Sequence, residues 1–219
     1  MGIFVSILRI CELIACITGF ISWGKIRTST FKWLPVFLLF VVISECVGNF
    51  LRPPVYAKEN LAYFNYFEIP VEFLFFFWLF YNTQSFEKFK SLPLVCAVLY
   101  LLSWLTDTLY LSKLRFSFYS FSYTFGTLLL LVVVLRYFIL LVTSNNILSF
   151  WKDMIFWICT GLLVYYLGTF PYYGLRNTLL EHYSGLYVTY SNIVCLLNAL
   201  MYILFTFSFI WGKPNIKSL

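Results

Sequence analysis

The chain has 219 residues, of which 62% are hydrophobic and 11% charged, and its net charge is +6. Soluble domains carry about 25% charged residues, so this composition, with a mean hydropathy of +0.86, excludes a soluble globular protein and points to an integral membrane protein whose first partner is the lipid bilayer. The basic residues form no single stripe and no nucleic-acid motif, so nucleic acid is excluded as a partner.

The apolar runs divide the chain into seven predicted spans at about 20 residues per crossing. They cover residues 3–23, 33–51, 61–82, 92–106, 119–142, 154–174 and 189–211. The first has no basic segment before it and no cleavage site after it, so it reads as a retained helix rather than a signal peptide. Arg9 and Glu12 lie three apart on it and are expected to pair. Glu45 and Asn49 share a face of the second span. Pro53-Pro54 ends that helix. Asp107 closes the fourth span, the fifth is a clean apolar run with Gly126 and Arg136, and the sixth holds Gly161, Gly168 and Pro171. The two glycines are expected to let a neighbouring helix come close. A loop is expected over 175–188 with Arg176, Glu181 and the lone His182, followed by a seventh span with Asn192 and Asn198.

Seven spans put the termini on opposite sides. The odd-numbered loops and the tail hold Lys25, Arg27, Lys32, Lys88, Lys90, Lys152, Lys213 and Lys217, against Arg52, Lys58, Lys113, Arg115 and Arg176 in the even-numbered loops. The positive-inside rule then places the N-terminus outside and the C-terminus in the cytoplasm. The reading is a single all-α domain over 1–219, a polytopic bundle of seven transmembrane helices.

The third span is the most informative. Its core reads NYFEIPVEFLFFFW, residues 65–78, with Glu68 and Glu72 four apart on one helical face. A carboxylate at membrane depth costs about 2.5 kcal/mol or more, so such a face is expected to turn inward or to water. Pro70 between them frees a backbone carbonyl and tends to kink the helix. With the orientation above, Arg9, Glu12, Glu45, Asn49, Glu68, Glu72 and Asn192 all fall in the outer leaflet or near mid-depth. They are the candidate ligand-binding residues of an outward-facing polar cavity, with Pro70 and Pro171 as candidate hinges. Four carboxylates against one or two arginines leave an excess of negative charge, which protons, a bound cation or a basic ligand would offset. The alternative is that these groups are interhelical glue, worth about 0.6 kcal/mol per hydrogen bond.

Several chemistries lack their residues. A single histidine does not supply a metal-dependent membrane hydrolase, and the six cysteines form no C-x-x-C pair, so no metal and no cofactor is expected. No lysine in the seventh span offers retinal a Schiff base. There is no nucleophile elbow, phosphate loop or kinase motif, and Arg136 alone is no voltage sensor. The segments WLFYNTQSFEK, following an EIPVE helix, and FWICTGLLVYYLGTFPYY together resemble a group of small seven-helix membrane proteins of Bacteroidota-type bacteria with no assigned activity. That resemblance implies a bacterial inner-membrane protein and carries over no functional residues. The expected function is a sensory or ligand-binding module that signals through a separate partner protein. The alternatives are a small ion-coupled carrier, a lipid-acting membrane hydrolase with carboxylate acid–base groups, and a non-catalytic assembly subunit.

Overall fold

The computed structural model describes residues 2–51, 53–83, 86, 89–111, 117–143 and 147–214. Five of the loop bases used in the charge count, Arg52, Lys88, Lys113, Arg115 and Lys217, lie outside the described residues. Seven helical rods carry the fold: α1 (Gly2–Ile21), α2 (Trp33–Phe50), α3 (57–81), α4 (Ser91–Thr106), α5 (Ser120–Val142), α6 (Met154–His182) and α7 (Ser184–Trp211). Pro35 and Pro93 sit in the first turns of α2 and α4, where the missing N–H would have had no partner within the helix.

Among the described residues six helical runs are long and apolar enough to cross a membrane: Gly2–Ile21, Thr30–Phe50, Ser91–Leu111, Ser120–Val142, Met154–His182 and Ser184–Trp211. The rod α3 is not among them, because Asn65, Glu68 and Glu72 interrupt its apolar run. Exposure follows the inverted pattern of a protein solvated by lipid. On α1 the outward face carries Ile3, Ile7, Ile10, Ile14, Ile17 and Ile21, all exposed, whereas the inward face buries Leu8, Glu12, Ala15, Cys16 and Gly19. A soluble monomer does not expose contiguous apolar faces of this size.

The rods form a closed ring in chain order. Neighbours α3–α4, α4–α5, α5–α6 and α6–α7 pack together, and α1 packs on both α7 and α2. Aromatic stacking joins α2 to α3, with Phe37 and Phe75 at 4.1 Å between centroids and 3° between planes. The lower half of α3 also touches α5, so its Phe73, Phe76, Phe77 and Phe80 are wholly buried. We call "upper" the end where α1, α3, α5 and α7 begin. The lower end is tied off by polar contacts: Lys25 Nζ donates to the carbonyls of Phe209 (3.0 Å) and Ile210 (3.2 Å) at the end of α7, where a cation also meets the negative end of the helix dipole. Lys213 N donates to Lys152 O at 2.7 Å, and Asp153 caps α6 by accepting from Ile155 N at 3.3 Å. The guanidinium of Arg136 rests 4.0 Å from the Phe89 ring centroid.

Two expectations change. The loop expected over 175–188 is helical: α6 runs on to His182 and α7 starts at Ser184. Nothing in 175–182 breaks a helix, and loop polarity was the only reason to end α6 early. Pro171 lies inside α6 without interrupting it. Arg9 does not pair with Glu12; its Nη2 donates to Asn49 Oδ1 at 3.3 Å, joining α1 to α2. Gly161 and Gly168 both face α7, where an added Cβ would meet Phe205 at 3.2 Å and Leu197 at 2.6 Å respectively.

Candidate functional site

Pro70 shapes the upper half of α3. The rod is α-helical over Ala57–Tyr63, widens to a π-turn over Phe64–Glu68, and resumes as α-helix over Ile69–Tyr81. Ile69 N donates to Phe64 O, five residues back. In that wide register the carbonyl of Asn65 faces the nitrogen of Pro70, which has no hydrogen to give. Trp104 Nε1 of α4 supplies the missing donor at 3.0 Å. The extra residue also turns the Asn65 side chain into the bundle, where it is 3% exposed. Its Nδ2 donates to Ser117 O (3.0 Å) and its Oδ1 accepts from Tyr119 N (3.3 Å). Asn177 of α6 grips the same segment, donating to Phe118 O at 2.9 Å and accepting from Phe118 N at 3.3 Å. Two asparagines thus fix Phe118, and the guanidinium of Arg176 sits over the Phe118 ring at 4.3 Å.

Among α1, α2, α3, α6, α7 and the start of α5 lies a cavity of about 520 Å³ that runs from the upper ends past mid-depth, within the range of small-molecule sites. Glu45 of α2 and Glu68 and Glu72 of α3 line it, as do Arg176 of α6 and Asn60, Tyr123, Tyr165, Tyr172, Tyr173, Tyr187, Asn198 and Tyr202. Its lower limit is a layer of aromatic rings, Phe37, Phe76 and Phe205. Tyr202, 5% exposed, lines the same cavity from α7. Glu12 itself is 2% exposed, lies behind the cavity wall and leaves its Oε1 without a hydrogen bond.

Of the residues expected from sequence, Glu45, Glu68 and Glu72 come together on the cavity wall. Arg9 and Asn49 bond to each other beside it, and Asn192, with its Oδ1 buried and unbonded, does not line it. Asp107, also in the upper half, is structural: its Oδ2 accepts from Ser122 N at 2.6 Å and caps α5. Arg176 and the tyrosines were missed. Their spacing carries the signal: Tyr165, Thr169, Tyr172, Tyr173 and Arg176 fall on one helical stripe, as do Tyr187, Ser191, Asn198 and Tyr202 on α7. The assumed loop over 175–188 cut both stripes short.

Glu72 is bound from α6, with Tyr166 Oη donating to its Oε1 at 2.7 Å. Tyr166 is fully buried, so Tyr166→Phe removes a donor and leaves a carboxyl oxygen unserved, at a cost of about 1–2 kcal/mol. A lower thermal unfolding midpoint is expected for the single variant. Partial recovery is expected when Glu72→Leu is added, because both polar groups then leave together.

Fold and site define the class: an all-helical membrane protein with an internal polar cavity open to several helices. No family model matches the chain, and no curated protein or solved structure matches it. Among the described residues no group of three or more His, Cys, Asp or Glu side chains is arranged to hold a metal ion.

Proposed function

We propose that the chain is a seven-helix sensory or ligand-binding module of a bacterial inner membrane. In this reading α3 is the seventh crossing, the N-terminus and the upper end face outward, and the C-terminus is cytoplasmic. A small ligand enters the cavity, and the signal passes to a separate partner protein. The observation that carries the reading is the cavity itself. It gathers Glu45, Glu68, Glu72 and Arg176 in one half of the bundle and stops on the Phe37, Phe76 and Phe205 layer. Below that layer the core is apolar and tightly filled, with Phe77, Phe80, Leu130, Val134 and Phe209 buried to 1% or less. A cavity closed below serves a receptor as it stands, whereas a carrier by alternating access would also have to open downward through that layer, and uptake decides between the two.

The test is native mass spectrometry of protein taken gently from its host membrane, beside a Glu68→Gln, Glu72→Gln variant. A small molecule retained by the wild type and lost from the variant is the expected result. Identical spectra from the two would remove the site assignment. Uptake of the retained molecule by proteoliposomes would replace the receptor with a carrier. Turnover of a lipid that stops with Glu72→Gln would replace it with a hydrolase.

A further inference from the structure

The charges lining the cavity have opposite signs and do not meet. Arg176 makes no ion pair with any described carboxylate, and neither Glu45 nor Glu68 makes one with a described base. The guanidinium is instead held by apolar and neutral partners, stacked on Phe118 and within reach of the Tyr187 hydroxyl. Phe118 is fixed by Asn65 and Asn177, as above, so the cation is positioned rather than trailing. On the other wall, Glu68 keeps a buried Oε2 without a hydrogen bond. Tyr123, 3% exposed, lines the space between; its hydroxyl makes no hydrogen bond of good geometry, though Tyr165 stands close by. Charges inside a membrane bundle normally pair with one another, and here the two halves of a pair, each half-buried, face the same space from different helices.

Their separation follows from helix geometry. The Tyr166–Glu72 bond sets α6 and α3 level at that point. Glu68 lies four residues above Glu72, and Arg176 lies ten residues above Tyr166. At a rise of 1.5 Å per residue the Arg176 backbone stands roughly 9 Å nearer the upper end than that of Glu68. Helical side chains lean toward their own N-terminus, which on α6 points down into the cavity and shortens the gap. The two charges make no ion pair with each other and stand at different heights on the wall of one cavity, which suits two charges carried by one molecule.

We infer that the cavity takes a zwitterion, its anionic group held by Arg176 and the Tyr187 hydroxyl near the mouth and its ammonium group held deeper by Glu45 and Glu68. The aromatic rings between, Phe64, Tyr172 and Tyr173 among them, suit an apolar linker of several methylenes and the face of an ammonium group. This rests on the cavity being a ligand site and adds the class of ligand. Such a molecule is a free amino acid whose two charges stand several carbons apart.

The test uses full-length protein in nanodiscs and three probes of one length: 6-aminohexanoate, hexanoate and hexylamine. Binding of 6-aminohexanoate about tenfold tighter than either singly charged analogue is expected, since each end adds a charge-assisted contact. Arg176→Gln should abolish the preference over hexylamine alone, and Glu45→Gln with Glu68→Gln the preference over hexanoate alone. Where a variant fails to fold, the wild-type ranking decides. The nanodiscs are made of phosphatidylglycerol, whose headgroup carries no ammonium to compete with the probes. Hexylamine binding as tightly as 6-aminohexanoate, or none of the three binding, overturns the inference. If a retained molecule is still found by native mass spectrometry, the cavity remains a ligand site of another class.

Discussion

Asn65→Leu is expected to lower the thermal unfolding midpoint more than any substitution on the cavity wall. The side chain is 3% exposed and serves two backbone groups, Ser117 O at 3.0 Å and Tyr119 N at 3.3 Å. Leucine matches its bulk and serves neither. Each buried group left unpaired costs about 1–3 kcal/mol, so a total of about 3 kcal/mol or more is expected. Asn65→Asp keeps the acceptor for Tyr119 N and loses the donor to Ser117 O, and should fall between. A thiol-reactive dye reads the transition directly, because Cys16, Cys96 and Cys159 are free and buried until the bundle opens. An Asn65→Leu midpoint equal to wild type would show that the Ser117–Tyr119 segment does not depend on α3. The same variant should disturb the seat of Phe118 under Arg176, so any ligand that uses Arg176 should bind it more weakly.

Gly212→Ala is the second large effect. An added Cβ would lie 2.5 Å from Ser208 O and 2.6 Å from Met154 Cα. Both are backbone atoms and cannot rotate away. Relief requires the end of α7 to shift from the start of α6, against the Lys213 N to Lys152 O bond of 2.7 Å and the two bonds from Lys25 to the last carbonyls of α7. Overpacking costs about 1–3 kcal/mol, occasionally more, and this site belongs at the upper end of that range. Gly24→Ala is the control: nothing lies within 4 Å of its added Cβ, so its midpoint should match wild type. Equal midpoints for Gly212→Ala and Gly24→Ala would mean that the α6–α7 junction yields freely.

The membrane class, the helical rods and the carboxylate face were legible because each depends on local chemistry. A run of apolar side chains needs no partner to declare itself a span. Glu68 and Glu72 share a face by helical period alone, and the cavity wall does carry both. Pro70 announced a freed carbonyl. That the carbonyl is Asn65's, and that Trp104 serves it from 39 residues away, is a fact of packing. The end of α6 was misplaced for a related reason. Arg176, Glu181 and His182 look like a loop when polarity alone is read, yet nothing in their backbone chemistry stops a helix.

By itself, then, the sequence determined that this protein lives in a bilayer as a helical bundle, and that carboxylates on α2 and α3 turn away from lipid, because transfer free energies and helical period act residue by residue. Tertiary structure decided which charges meet. It gave Arg9 to Asn49 rather than to Glu12, made Asp107 a cap for α5, and brought Arg176 over Phe118 to face Glu45 and Glu68 across one cavity. Those outcomes depend on how seven rods close into a ring, and contacts between residues 15 to more than 100 positions apart leave no periodic trace in the chain.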